Sequence, residues 1–127
     1  KGRLALPRRV RDELEAQGGE IVAARHPDGC LLLYPAEAWA PRREKLLLLP
    51  WSARGFVRLV LGSALELKPD AAGRILIPKD LRELAGLERD CALVGLGEHL
   101  ELWDRAALRA NEEASLAEGF DPAGFNF

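Results

Sequence analysis

One stretch of this chain is written twice. Gly2-Arg3-Leu4-Ala5-Leu6-Pro7-Arg8-Arg9-Val10-Arg11-Asp12 returns as Gly73-Arg74-Ile75-Leu76-Ile77-Pro78-Lys79-Asp80-Leu81-Arg82-Glu83, 71 positions later and without a gap. The glycine, the first arginine, the proline and the second arginine are identical, and most other positions keep their type. Farther on, Leu31-Leu32-Leu33-Tyr34 answers Leu100-Glu101-Leu102-Trp103 at an offset of 69, so the second copy is two residues shorter in between. Two matching blocks in the same order mark a duplication. A unit of roughly 40–50 residues buries too little apolar surface to stand alone. The two copies must therefore build one core between them, with a pseudo-two-fold relation inside a single chain.

Each copy carries the same local signals. An apolar run after Gly-Arg ends at Pro7 or Pro78 and predicts a strand stopped by a residue that cannot donate to a ladder. The proline then sits at the first turn of a short helix. In that helix Val10 and Leu14, or Leu81, Leu84 and Ala85, share a face, and Gly18-Gly19 or Gly86 ends it. Two strands follow in each copy, over 20–25 and 30–34 and over 91–95 and 100–103, joined by turns at 26–29 and 95–99. Leu65-Glu66-Leu67 alternates as a strand and is expected to form a first hairpin with the strand that follows Gly73; the matching strand of copy one is expected before Lys1. Between the copies, Pro41 is expected to open a helix running through Leu49, and Ser52 to cap a second one ending at Gly62. A last helix is expected from about Arg105 to Leu116, followed by an irregular tail whose three phenylalanines suggest docking. The fold class is α+β: first unit 1–40, linker helices 41–62, second unit 63–104, and C-terminal helix and tail 105–127.

Charge is unevenly spread behind a net value of −2. Residues 1–11 hold Lys1, Arg3, Arg8, Arg9 and Arg11 with no acid, and 42–58 hold five more cations against Glu44 alone. The remainder is acidic, with 101–127 at −4. Such a chain can hold a polyanion in one orientation only.

Enzyme chemistry finds no support. His26 and His99 lie in or beside turns, no metal-ligand spacing is present, and Gly95-Leu96-Gly97 lacks the rest of a dinucleotide signature. Cys30, beside a leucine run, reads as a small buried hydrophobe. No apolar run approaches a membrane span, and with no secretory signal in the visible chain a cytoplasmic setting is expected. No cofactor and no small-molecule substrate is expected.

The binding signal is Asp70-Ala71-Ala72-Gly73-Arg74, where an aspartate can bond the N–H groups of a glycine-bearing turn and present an arginine at the base of a strand. Copy one enters the equivalent element at Lys1-Gly2-Arg3. A basic hairpin of this width fits the major groove, where arginine reads the O6/N7 edge of guanine, while Arg8, Arg9, Arg11 and Lys79 would grip phosphates. Copy two, with Ala72 for Lys1 and Asp80 for Arg9, is the less basic, so copy one is expected to carry most of the contact.

Taken together, Lys-Gly-Arg-x-x-x-Pro-x-x-x-Arg, Leu31 to Trp39, Leu61-Gly62, Asp-x-x-Gly-Arg-x-x-x-Pro and Glu101-Leu102-Trp103 resemble the MraZ family. The halves of that family are of the AbrB/SpoVT swapped-hairpin type. The resemblance runs from Lys1 to about Leu108. It implies a transcriptional repressor, associated with the nucleoid, that binds promoter DNA at short repeated G-rich motifs ahead of the division and cell-wall genes and assembles as a ring. Its Asp-x-x-x-Arg element falls on Arg3 in copy one and on Asp70 and Arg74 in copy two, with Gly2 as the turn glycine. The competing reading is a protein-interaction or antitoxin-like scaffold, favoured by the apolar linker helices and the aromatic tail.

Overall fold

The computed structural model describes residues 2–124. Lys1 and two of the three tail phenylalanines, Phe125 and Phe127, lie outside the described residues. In chain order the elements are β1 (Arg3–Ala5), α1 (Arg8–Ala16), β2 (Ile21–Arg25), β3 (Leu31–Pro35), α2 (Ala36–Leu47), a 3-10 turn (Trp51–Ala53) and α3 (Arg54–Ser63). There follow β4 (Leu65–Leu67), β5 (Arg74–Leu76), α4 (Lys79–Leu84), β6 (Cys91–Gly95), β7 (Leu100–Asp104) and α5 (Arg105–Glu118).

The strands form two antiparallel sheets: a two-stranded ribbon of β1 with β5, and a five-stranded sheet ordered β4-β2-β3-β7-β6. The register carries the duplication. Leu4 stands opposite Ile75 and Leu32 opposite Glu101, and each of these pairs joins repeat-equivalent residues. A local two-fold axis therefore passes through both pairs, and each strand at the axis is paired with its own copy.

Leu65–Leu67 does not form the hairpin expected of it. It adds to the edge of β2, with Ile21 opposite Leu67 and Ala23 opposite Leu65, while β5 leaves to pair with β1. The exchange has a physical cause: Leu65 and Leu67 pack against a core that both copies line, which neither copy covers alone.

Two apolar clusters lie on opposite faces of the large sheet. One joins Leu6 and Leu14 of copy one and Ile75, Ile77, Leu81 and Ala85 of copy two to Ile21, Ala23, Leu31, Leu33 and Leu102. The other packs Val22, Ala24, Leu32 and Tyr34 under Trp39 of α2 and Val60 of α3. Strands β2 and β3 are thus covered on both sides, which is why 31–34 is an unbroken apolar run. Cys30 is 1% exposed within this layer, and burial foremost pushes its thiol up to about 12, as suits a packing residue.

The linker departs from expectation at both helix starts. Helix α2 begins at Ala36, after Pro35, and Pro41 lies inside it. Burial of Trp39 holds the earlier turn to the sheet, and exposed Pro41 forfeits only the bond to the Glu37 carbonyl. Ser52 makes no capping bond; it sits within the 3-10 turn, and α3 starts after Ala53. The last helix continues two residues past Leu116, and Phe120 beyond it is exposed.

Candidate nucleic-acid interface

On the ribbon, alternation sends Leu4 and Ile75 inward and Arg3, Ala5, Arg74 and Leu76 outward. The outward face therefore carries one arginine from each copy, related by the local axis. Asp70 binds both. Its Oδ1 accepts the backbone N–H groups of Ala72 and Arg74, each at 2.9 Å. Its Oδ2 accepts Arg74 Nε at 3.1 Å and lies 3.4 Å from a terminal nitrogen of Arg3. The Arg74 N–H foremost, with the Ala72 N–H and the arginine charge behind it, holds the Asp70 carboxyl below the ordinary carboxylate range. Both guanidiniums remain half-exposed, so each keeps donors facing solvent.

The turns beneath are locked reciprocally. Leu6 donates its N–H to the Gly73 carbonyl at 3.1 Å, and Ile77 donates to the Gly2 carbonyl at 2.8 Å. Arg11 donates to the Ala72 carbonyl at 3.1 Å, and its repeat-equivalent Arg82 donates to the Ile77 carbonyl at 3.0 Å. Glycine is required at both turns. Gly73 has φ +76°, and a Cβ there would lie 1.9 Å from Arg11 Cδ; Gly2 has φ +81°, with Arg82 Cζ at 2.9 Å. Each copy's helix arginine is packed on the other copy's glycine turn.

The expected site residues thus fall into two groups. Arg3, Arg74 and Asp70 converge on the ribbon, with Gly2 as a turn residue. Arg8 and Arg9 are exposed in the first turn of α1, and Lys79 is exposed at the start of α4. Arg11 is half-buried with its Nε unpartnered, and it supports the copy-two turn. Arg8, Arg11, Lys68 and Asp70 line one open cleft of about 460 Å³ between α1 and that turn. Lys68 and Arg82 are not among the residues expected from the sequence; the repeat does align Arg82 with Arg11, whereas nothing in the sequence marks Lys68.

A second cluster lies on the other face of the large sheet. His99, on the β6–β7 turn, stacks on Tyr34 with ring centroids 4.5 Å apart, and Arg42 of α2 bonds Glu98. The His99 imidazole is held below its ordinary value by burial foremost, and its Nδ1 is buried without a partner. Beyond it, Leu47, Leu48, Leu49, Trp51 and Phe56 form an exposed apolar corner between α2 and α3, with Leu48 83% and Trp51 79% exposed.

The fold and site define an internally duplicated α+β protein that presents a paired-arginine ribbon. Residues 60–123 match the family described as "MraZ protein, putative antitoxin-like". A protein of Acidovorax sp. (strain JS42) is 46% identical over 117 residues, covering 91% of this chain and 82% of its own length. Proteins of Ralstonia pickettii (strain 12J) and Burkholderia cenocepacia (strain HI2424) are each 44% identical over 128 residues, covering all of this chain and 90% of their own. All three are named transcriptional regulator MraZ, which is not an enzyme's name. The chain belongs to the MraZ family.

Proposed function

We propose that this protein is a sequence-specific DNA-binding transcriptional regulator. It represses the bacterial division and cell-wall gene cluster at the nucleoid, gripping short repeated G-rich motifs as a ring of subunits. The observation that carries the reading is Asp70, which holds Arg3 of one copy and Arg74 of the other on a single exposed ribbon. A pre-set guanidinium donates two parallel bonds to guanine O6 and N7, a contact worth about 1–3 kcal/mol of base discrimination. Gly2, Asp70 and the half-buried Arg11 shape the ribbon's base, while Arg8, Arg9, Lys79 and Lys1 hold phosphates and set register. Arg8 and Arg9 stand at the positive end of α1, which has no acid in its first turn. This placement is mildly unfavourable to the free helix and is relieved by an incoming phosphate. The units 1–40 and 63–104 then act as one reading head, with 41–62 and 105–127 left for assembly. A ring offers several heads to several repeats, which multiplies affinity without a new contact.

The exposed Leu47–Trp51 corner favours a second reading, a module that mainly binds protein. Ring assembly accounts for the same surface. A titration of the full chain against spaced G-rich repeats and a scrambled duplex, at two salt concentrations, separates them. The expected result is tight preference for the repeats that weakens steeply with salt, by nearly one power of salt concentration per phosphate contacted. Equal, weak binding to both duplexes by an intact assembly would sink the DNA reading in favour of the protein one.

A further inference from the structure

The arginine pair alone leaves the ribbon ambiguous. The local axis through Leu4 and Ile75 exchanges Arg3 with Arg74, so the ribbon offers the same guanidinium chemistry in either orientation on a duplex, the two arginines differing only in how Asp70 holds them. One difference on the outward face breaks the tie. Leu76 stands opposite Arg3, whereas its repeat-equivalent Ala5 stands opposite Arg74. Resting on the DNA-binding reading above, we propose that Leu76 is a specificity residue that contacts a thymine methyl group beside the guanine read by Arg3, and so sets the direction in which the ribbon binds.

The placement of Leu76 supports this. Its neighbours Ile75 and Ile77 are buried at 0% and 3% exposure, while Leu76 is 51% exposed and belongs to neither apolar cluster. It contributes nothing to the core, and it is the one large apolar side chain among the four outward residues of the ribbon. Directly opposed residues of an antiparallel pair keep their Cβ atoms about 5 Å apart, and successive base pairs rise about 3.4 Å. With the Arg3 guanidinium on a guanine edge, Leu76 therefore reaches an adjacent base pair. The thymine C5 methyl is the apolar group that a major-groove edge offers there. Against a polar base edge, the leucine would displace water without replacing its hydrogen bonds, which selects against the other bases. Ala5 is too short to make the matching contact beside Arg74, so the preference is one-sided.

The test uses the full chain and a G-rich duplex whose thymines are replaced singly by deoxyuridine, which pairs identically but lacks the methyl. At one position, on one side of the guanines only, the parent should bind about fourfold more weakly, the worth of one buried methyl group. Leu76→Ala should bind the unmodified duplex about as weakly and lose nothing further on that substitution. Ala5→Leu should acquire a second sensitive position on the other side. Parent indifference to every deoxyuridine, or Leu76→Ala as sensitive as the parent, overturns the inference while preference for the repeats keeps the DNA-binding reading standing. No preference for the repeats over scrambled DNA overturns both. If Leu76→Ala does not fold, the scan on the parent and on Ala5→Leu decides the matter.

Discussion

Asp70 does two jobs with two oxygens, and they can be separated. Asp70→Asn can keep the Oδ1 bonds to the Ala72 and Arg74 N–H groups while putting an NH2 where Oδ2 receives both guanidiniums. Folding should survive, because half-exposed ion pairs contribute little to stability, yet discrimination between repeat and scrambled DNA should fall several-fold in the titration. Retained discrimination would mean that the arginines need no clamp. Asp70 also titrates in a known direction. Its carboxyl lies below the ordinary value near 4, so its contribution is present above that value and is lost only as pH falls through the lowered one. Binding should therefore not weaken through Asp70 between about pH 7 and 5. Arg3→Ala should lose on the order of 1–3 kcal/mol of specific affinity per subunit contact, and Arg74→Ala should lose less affinity. The reverse ranking, with folding intact, would make copy two the principal reader.

At the level of elements, the reciprocal lock between ribbon and helices is open to comparison. Gly73→Ala meets left-handed strain of about 1–2 kcal/mol and displaces Arg11, whose Cδ is 1.9 Å from the new Cβ. Gly29→Ala has φ +99° but nothing within 4 Å, so it carries the backbone strain alone. In denaturant melts Gly73→Ala should be clearly the worse. Equal losses would show that Arg11 yields freely and does not support the turn. The β6–β7 turn gives a pH prediction of opposite origin to that of Asp70. The lowered His99 value means that stability is whole above the unfolded value near 6.5 and declines as pH falls below it, because the unfolded chain takes the proton first. Glu98 and Glu101 favour the charged ring, Arg42 and His26 oppose it, and Tyr34 stacks upon it. His99→Phe should flatten the fall in melting temperature between pH 7 and 5, and an unchanged slope would remove His99 from the account.

For the whole molecule, the question is what covers the α2–α3 corner. Leu48 at 83% exposure supports no core, so Leu48→Glu should leave folding untouched and reduce the mass of any assembly seen by light scattering. If the assembly keeps its mass, the corner is not where subunits meet. Loss of assembly should also weaken binding to repeated motifs far more than to a single one, since linked sites act through effective concentration.

The duplication, the strand–helix order of each copy, the apolar run 31–34 and the candidate arginines were all legible in the sequence, because periodicity, proline and glycine act over a few neighbouring residues. The helix start at Ala36 was missed because burial of Trp39 overrides the local proline signal, and the start at Arg54 because Ser52 is taken into the 3-10 turn Trp51–Ala53 and makes no capping bond. Only the tertiary structure decided that β4 joins β2, that β1 and β5 leave to pair with each other, and that Asp70 reaches an arginine 67 residues away. Those choices depend on which surfaces two incomplete halves must cover together. That is a property of the shared core, and no segment of the chain carries it alone.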